Sequence, residues 1–327
     1  MPEPAGQHAI EAEARPRIDP ACMQCRREHF ADEILFHAPG LKRYRTSEYA
    51  AHDSAEFVSI SVTGTACALA CEHCATKVLV GMADLPRSGG SLFELCTDLA
   101  SRGARGVLIS GGSDVRGRVP LTSHLEDLAR VRHELDLAVR VHPGLPDEEI
   151  CAGLAAAGID GAMVDIIGHQ DTITEVYHMQ ATPQDYEDVL ARLERHGVPT
   201  IPHIILGLHF GRMLGEHPAL EMIVRHPPKL LVLVILMPLT GTPMATVEPP
   251  PLDEIGAFFE AARSALPSTP VMLGCARPMG ADKLAIDQMA VEAGFNGIAY
   301  PSEGIVEYAK QLGLEPAFIN ACCGVQW

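Results

Sequence analysis

Short apolar segments recur eight times between residues 58 and 300, and helix-like segments separate them. The eight are Val58–Val62, Gly106–Ser110, Ala138–His142, Ala162–Ile166, Ile201–Leu206, Leu230–Leu236, Val271–Gly274 and Gly297–Tyr300. Short, fully apolar runs that alternate with helices predict a parallel sheet covered by helices. Eight such units over roughly 245 residues match a closed barrel in size. We therefore predict an α/β fold, a TIM-type (β/α)8 barrel over residues 56–305.

Three helices are predicted from their start signals. Ser91 and Glu94 form a capping box before an apolar face. A second helix is expected after Asp147, and a third through Asp185–His196.

The segments outside the barrel carry their own signals. Residues 1–20 are rich in Pro, Ala and Glu without periodicity, which predicts a mobile tail. Residues 21–55 are expected to form an N-terminal extension with a Cys-x-x-Cys motif, and residues 306–327 a C-terminal tail with a Cys-Cys pair. We predict that the two extensions meet at the barrel mouth.

Charge and hydropathy exclude several classes of partner. The formal net charge of −17, from 42 acidic and 25 basic residues, disfavours nucleic acid and anionic membranes. The longest apolar run, Leu230–Met237, is too short to span a bilayer. The N-terminus shows no secretion signal, and ten cysteines in such a chain indicate a reducing compartment, so we expect a cytoplasmic protein.

Three cysteines follow the first predicted strand in one loop, spaced Cys67-x-x-x-Cys71-x-x-Cys74. Iron–sulfur clusters are held by cysteine thiolates, normally four to a [4Fe-4S] cluster, so three leave one iron without a protein ligand. An open coordination position is what metal catalysis needs. A zinc knuckle would need a fourth ligand at regular spacing, and a disulfide suits a secreted chain.

This loop resembles the signature of the radical S-adenosylmethionine (SAM) superfamily. The resemblance implies a [4Fe-4S] cluster on Cys67, Cys71 and Cys74 whose open iron binds SAM, and it makes these three cysteines the catalytic centre.

The resemblance also assigns SAM contacts to residues at later strand ends. After strand 2, Gly111 and Gly112 match the family's Gly-Gly-Glu motif, with Ser113 in place of the glutamate. The other expected contacts are His73, Asp165, Ile205, Gly207 and Met237. His142 and His203 are interpreted as core histidines.

Four further cysteines lie near the chain ends: Cys22, Cys25, Cys322 and Cys323. Together they supply the four thiolates of a second, auxiliary [4Fe-4S] cluster over the barrel mouth. Adjacent cysteines chelate one cluster awkwardly, so Cys275 is a candidate substitute for one of them. A zinc clip on the same residues is the alternative.

From about residue 20 onward the chain resembles the biotin synthase and lipoyl synthase branch of the superfamily, and most closely a component of the two-protein lipoyl synthases. The resemblance implies sulfur insertion into an octanoyl chain, with the auxiliary cluster as sulfur donor. The implied partners are an octanoyl-carrying protein, of the lipoyl-domain or glycine-cleavage H-protein type, and a related second synthase component. The basic residues Arg26–Arg27 and 42–45 are candidate carrier contacts or simply solvated charges.

Two other functions remain open. One is a biotin-synthase-like radical SAM maturase or lyase without sulfur transfer. The other is a non-enzymatic iron–sulfur scaffold or electron carrier.

Overall fold

A computed structural model describes residues 15–38, 45–49 and 56–325 of the chain. The strands are β1 (Glu33–His37), β2 (Phe57–Ser61), β3 (Ala83–Asp84), β4 (Gly106–Ser110), β5 (Ala138–Val141), β6 (Gly161–Asp165), β7 (Thr200–Leu206), β8 (Leu231–Ile235), β9 (Val271–Leu273), β10 (Gly297–Ala299) and β11 (Glu315–Ile319). All eight segments predicted as strands are strands, and β1, β3 and β11 are additional.

The α-helices are α1 (Pro20–His29), α2 (Leu85–Ser88), α3 (Leu92–Ser101), α4 (Leu125–Glu134), α5 (Glu148–Ala157), α6 (Pro183–Arg195), α7 (Glu216–Arg225), α8 (Leu252–Ala265), α9 (Ala281–Glu292) and α10 (Ile305–Gln311). The three predicted helices are confirmed as α3, α5 and α6. Ser91 and Glu94 form the capping box of α3, and the Asp147 carboxylate caps α5 by accepting the Ile150 N–H. None of the described helices is long and apolar enough to cross a membrane.

The strands form one parallel sheet in the order β11-β1-β10-β9-β8-β7-β6-β5-β4-β2-β3. Sequential strands from β4 to β10 are neighbours, as expected for strand–helix units. Both predicted extensions contribute a strand, since β1 pairs with β11 along five residues each. The predicted α/β class is confirmed, and the sheet curls into a half-barrel.

The two faces of the sheet bury different residues. Outward-facing strand residues such as Ile34, Val107 and Leu233 join the helices in one large apolar core. The inner face has its own apolar cluster, which includes Leu35, Met163, Ile201, Val232 and Met272. We call the space enclosed by this inner face the lumen.

The C-terminal tail spans the gap left by the unclosed sheet. Among the described residues, β11 and β3 are edge strands that do not pair with each other. After β11 the chain turns inward, where Ala321 and Val325 pack on Phe57 at the start of β2. Asn320 also donates a hydrogen bond to Glu56, just before β2. The tail, rather than strand pairing, therefore connects the last strands to the first ones.

Part of the predicted mobile tail packs on the molecule. Residues 1–14 lie outside the described residues, but Ile18 is buried in the outer core. The Arg15 guanidinium makes an ion pair with Glu292 at 2.5 Å, with side-chain exposures of only 22% and 23%. Residues 15–20 therefore contact the folded body, and the mobility of residues 1–20 stays a prediction.

Candidate active site in the lumen

The cysteine loop follows β2, at the C-terminal edge of the sheet. Cys71 is buried, and Cys67 and Cys74 are partly buried. Backbone hydrogen bonds tie the loop to its surroundings: Glu72 N–H donates to Val176, and Met244 N–H donates to the Glu72 carbonyl. The loop is thus held by the segments after β6 and β8.

The Gly-Gly turn after β4 packs directly on the cysteine loop. A Cβ on Gly112 would lie 2.0 Å from the Ala66 carbonyl oxygen and 2.6 Å from Cys67 Cα, so only glycine fits. The Ser113 N–H donates to Cys67 Sγ at 3.3 Å, and the Ala68 N–H donates back to the Ser113 carbonyl at 2.8 Å. Gly112 and Ser113 therefore position the first cysteine through backbone contacts.

Electrostatics in the loop favour a thiolate. A hydrogen bond from the Cys71 thiol, with a smaller contribution from His73, lowers the pKa of Cys74 to about 4 against the effect of burial. The same bond, together with burial, raises the pKa of Cys71. Thiolates are the form that binds iron, so the loop is suited to a metal cluster.

His73 and Tyr177 stand beside the cysteines with unused polar atoms. Their rings lie 5.1 Å apart. His73 Nδ1 and the Tyr177 hydroxyl are buried without a hydrogen-bond partner among the described residues. Tyr177 follows the π-helix Thr172–Val176, and such irregular turns are frequent at functional sites. Both side chains offer hydrogen bonds to a molecule bound at the loop.

Asp165, at the end of β6, lies opposite His142. Its Oδ1 is 3.5 Å from His142 Nε2. Burial alone would raise the pKa of Asp165, but the charge of His142 and, to a smaller extent, of His203 lowers it to about 2. The Asp165 charge raises the pKa of His142, although burial opposes the shift. Burial lowers the pKa of His203 to about 4.

The Asp165–His142 pair lines an open space. Protein surrounds both side chains, yet they keep 29% and 28% of their surface accessible. His73, in the cysteine loop, influences Asp165 electrostatically, and Cys322, in the C-terminal tail, influences His142. The pair is therefore within electrostatic range of both the cysteine loop and the tail.

The remaining predicted SAM contacts lie at or just after the ends of β7 and β8. Ile205 lines a small cavity together with Ile167, Leu208 and the buried Glu216. Gly207 has a φ of +74°, and its N–H donates to Glu216 at 2.8 Å, which fixes the turn after β7. Met237 is half-buried in the loop after β8. These residues therefore lie at the C-terminal edge of the sheet, the edge that also carries the cysteine loop.

The C-terminal cysteines lie in the lumen. Cys323 is buried in the inner apolar cluster with Leu35, Ala299 and Tyr300, and Cys322 packs against the same cluster. Their Sγ atoms are 3.9 Å apart. The electrostatic influence of Cys275, after β9, reaches Cys323. Two thiols therefore lie inside the curled sheet, and the exposed Cys275 is within electrostatic range of Cys323.

The N-terminal cysteines lie elsewhere. Cys22 and Cys25 are on α1, which packs on α8 and α9 outside the sheet, and Cys22 belongs to the outer core. The sheet separates them from Cys322 and Cys323, so the structure does not bring together the four ligands predicted for the auxiliary cluster. Burial of Cys22 raises the pKa of its thiol to about 11, which further disfavours metal binding there.

Within the described residues, no three His, Cys, Asp or Glu side chains are close enough to hold a single metal ion. The ligands of a cluster bind different irons and stand further apart than the ligands of one zinc ion. The donor set of the Cys67 loop, with the amide at Cys67 Sγ and the unused groups of His73 and Tyr177, fits a [4Fe-4S] cluster and a polar cofactor.

The family model of the radical SAM superfamily matches residues 61–211. This segment contains Cys67, Cys71, Cys74, the Gly-Gly turn and Asp165, and it belongs to the radical SAM superfamily. Membership implies a [4Fe-4S] cluster and SAM as cofactors, as predicted. The comparison with curated proteins found no match to this sequence.

Solved structures share the fold at low identity. A structure of methylornithine synthase (PylB) superposes with a TM-score of 0.61 and 14% identity, covering 91% of this chain and 87% of the other. The FeFe-hydrogenase maturase HydG from Carboxydothermus hydrogenoformans gives a TM-score of 0.60 and 14% identity, with 91% and 70% covered. These likenesses confirm the barrel-like architecture of radical SAM proteins.

Two lumen residues, Arg140 on β5 and His37 on β1, are buried on the inner face and were not predicted from the sequence. His142, interpreted from the sequence as a core histidine, instead pairs with Asp165. The segment Glu33–His37 has the apolar pattern of a strand, but no strand was predicted there. The prediction for this extension rested on its Cys-x-x-Cys motif alone. Nothing in the sequence around Arg140 marks it, because its partner lies in the tail.

Proposed function

We propose that this chain is a radical SAM enzyme that inserts sulfur into the octanoyl chain of a carrier protein, as one component of a two-protein lipoyl synthase. The observation that supports this is that Cys322 and Cys323 lie in the lumen beside the cysteine loop of the SAM site, with the exposed Cys275 within electrostatic range of Cys323. A sulfur donor has to lie in the same enclosed space as the carbon that SAM activates.

The donor cluster in this proposal is held by the lumen cysteines rather than by the two chain ends. Cys275 takes the place of the N-terminal pair, which α1 carries on the outside of the sheet. Three thiolates leave one iron of a [4Fe-4S] cluster without a cysteine ligand.

The lumen walls suit an alkyl substrate. When bound, SAM and its cluster supply a radical that removes hydrogen from an unactivated carbon. Met163, Val232 and Val234 line the inner face with apolar surface, which binds an alkyl chain and keeps water away from reactive species. Asp165 and His142 stand in the open part, where they orient polar groups of the substrate or of SAM.

The carrier and the second synthase component are part of the proposal. Arg26, in the basic N-terminal stretch, is not available to bind either partner. It is fully buried and donates hydrogen bonds to the Ala31 and Glu33 carbonyls. Arg27 donates to the Leu312 carbonyl. Residues 42–44 lie outside the described residues.

A second candidate is a radical SAM maturase or lyase without sulfur transfer. The separation of Cys22 and Cys25 from the lumen favours it, because only three cysteines then remain for a donor cluster. An iron–sulfur scaffold or electron carrier is a weaker candidate, since it has no use for the Asp165–His142 pair in an open lumen.

The test compares two double variants of the anaerobically reconstituted full chain. Cys322→Ala/Cys323→Ala removes lumen thiols, and Cys22→Ala/Cys25→Ala is the matched control outside the sheet. Each is incubated with SAM, a reductant, an octanoylated carrier and the related component. The readouts are 5′-deoxyadenosine, thiolated carrier, and iron and sulfide per chain.

Sulfur insertion predicts that the Cys322/Cys323 variant still cleaves SAM, loses about four irons and makes no thiolated carrier. The Cys22/Cys25 variant should keep both the iron and the product. An unchanged yield of thiolated carrier from the Cys322/Cys323 variant would rule out these cysteines as ligands of the sulfur donor. SAM cleavage by the wild type without any thiolated carrier would favour the maturase or lyase.

A further inference from the structure

Asp165 has a carboxylate oxygen, Oδ2, that no group among the described residues uses. Its Oδ1 lies 3.5 Å from His142 Nε2, and this is the one hydrogen bond or ion pair that the described residues offer the side chain. Burial would raise the pKa of Asp165, but the charge of His142 lowers it to about 2, so the carboxylate is ionised at neutral pH. An enclosed carboxylate needs hydrogen-bond donors. A molecule in the lumen therefore has to supply them.

The polar groups around Asp165 do not supply this donor. His203 is in register with Asp165 on β7, but its Nδ1–H donates to the Ile201 carbonyl. Burial lowers the pKa of His203 to about 4, so the ring is neutral at neutral pH and has no second N–H. The Tyr177 hydroxyl is buried without any partner among the described residues, so it does not reach the carboxylate. The second oxygen of Asp165 is thus left for a ligand.

Asp165 lies above the apolar part of the lumen wall. Met163, two residues earlier on β6, belongs to the inner apolar cluster, and alternation along the strand puts Asp165 on the same face. A strand rises about 3.3 Å per residue, so the carboxylate lies about 7 Å closer to the C-terminal edge. Cys323 packs in the same cluster as Met163. A chain that enters past Asp165 therefore meets apolar wall and tail cysteines below it.

The polar groups at this level match an amide. An amide N–H donates to a carboxylate, and an amide carbonyl accepts from an imidazole N–H. Asp165 and His142 offer these two groups side by side, and both keep more than a quarter of their side-chain surface accessible. An ester lacks the N–H, and an amine lacks the carbonyl. An amide with an alkyl chain attached is thus complementary to the pair and to the wall beneath it.

We propose that the Asp165 carboxylate binds the N–H of the amide that joins the octanoyl chain to a lysine of the carrier, with His142 at the amide carbonyl. This inference rests on the proposed function and names the part of its substrate that the lumen recognises. Holding the amide at Asp165 directs the alkyl chain along the apolar wall and selects amide-linked chains over ester-linked ones.

The test measures binding without turnover. The anaerobically reconstituted full chain is mixed with SAM, without a reductant, and titrated with three peptides by calorimetry. The first peptide carries N6-octanoyl-lysine. The second has an ester oxygen in place of the amide N–H, and the third carries N6-octyl-lysine, an amine without the carbonyl. Asp165→Leu removes the acceptor, Asp165→Asn keeps its shape without the charge, and Asp98→Asn on the exposed face of α3 is the control.

We expect the wild type to bind the amide at least about tenfold more tightly than the ester, because a hydrogen bond to a charged group is lost with the N–H. The amine should also bind more weakly than the amide. Asp165→Leu should abolish the preference, Asp165→Asn should reduce it, and Asp98→Asn should keep it. The comparison of amide with ester in the wild type stands on its own if the Asp165 variants do not fold.

Other outcomes overturn the inference. Equal binding of amide and ester, no binding of the amide, or tighter binding of the amine would each exclude amide recognition. A folded Asp165→Leu protein that keeps the preference but loses SAM binding would make Asp165 a SAM contact instead. The product assay separates this failure from that of the proposed function. Thiolated carrier without the amide preference removes only the Asp165 contact, and the preference without thiolated carrier removes only sulfur insertion.

Discussion

Arg140 donates two hydrogen bonds to the Gly324 carbonyl oxygen, from Nε at 3.1 Å and Nη2 at 2.9 Å. The two residues are 184 positions apart in the chain. The guanidinium is 3% exposed on the inner face of β5, and its Nη1 is buried without a partner among the described residues. This contact fixes the C-terminal tail inside the lumen, directly after the Cys322–Cys323 pair.

Arg140→Met should loosen the tail. The Gly324 carbonyl would lose its donors in a buried position, which costs about 1–3 kcal/mol in free energy of unfolding. Chemical unfolding measures the loss, and limited proteolysis should cut the tail faster. Arg102→Met is the control, because its ion pair with Asp98 is exposed to solvent and should contribute little to stability. Equal costs for the two variants would contradict a special role for Arg140.

Gly112→Ala should prevent assembly of the SAM cluster. Its Cβ would overlap the Ala66 carbonyl and the Cys67 backbone and push the cysteine loop away from the turn. We expect the reconstituted protein to lose about four irons. Gly81→Ala serves as the control, because a Cβ there has no neighbour within 4 Å. A Gly112→Ala protein with full iron content would show that the loop accommodates the methyl group.

Asp165→Asn should lower stability in a pH-dependent way. The folded-state pKa of Asp165, about 2, lies below its ordinary 3.8, so the ionised carboxylate stabilises the fold above that ordinary value. The contribution, about 2 kcal/mol, is lost as the pH falls from about 4 towards 2. Unfolding of the cofactor-free protein between pH 6 and pH 3 measures it. The difference in free energy of unfolding between the variant and the wild type should become smaller as the pH falls.

Asp165→Asn should also lower the pKa of His142. Its folded-state pKa is raised by Asp165, so its contribution is present below the ordinary value and is lost as the pH rises through the raised one. Without the carboxylate, burial dominates and the pKa of His142 should fall, which NMR titration of the ring detects. An unchanged His142 titration would contradict the pairing. Asp98→Asn, at an exposed pair with Arg102, should leave it unaffected.

Arg277→Met should destabilise the loop that carries Cys275. Arg277 and Asp287 form a fully buried ion pair at 2.7 Å, and Arg277 also donates to the Gly274, Ala299 and Tyr300 carbonyls. Removing the guanidinium leaves the buried Asp287 carboxylate with only Lys283, at 3.5 Å, and the Ser302 donors, at a cost of up to about 3–5 kcal/mol in free energy of unfolding. Replacing Asp287 with Leu in addition should recover part of the loss. No recovery would indicate that the carbonyl contacts, and not the pair, dominate.

The SAM loop and the eight central strands could be predicted because their signals are local. Cys67, Cys71 and Cys74 lie within eight residues, and each apolar run identifies its own strand. The placement of Cys22 and Cys25 could not be predicted, because a Cys-x-x-Cys motif contains no information about which face of the sheet its helix packs on. α1 packs on α8 and α9, and this contact joins segments more than two hundred residues apart.

The sequence by itself determined the class of fold, the cysteine loop and the glycine turn that meets it, since short-range patterns and residue types specify these features. Only the tertiary structure decided that the tail with Cys322 and Cys323 enters the lumen, that Arg140 holds it there, and that Cys22 and Cys25 lie outside the sheet. The physical reason is that a side chain's surroundings depend on how the sheet curls and on which strands become neighbours. Those long-range pairings, such as β1 with β10 and β11, leave no local mark in the sequence.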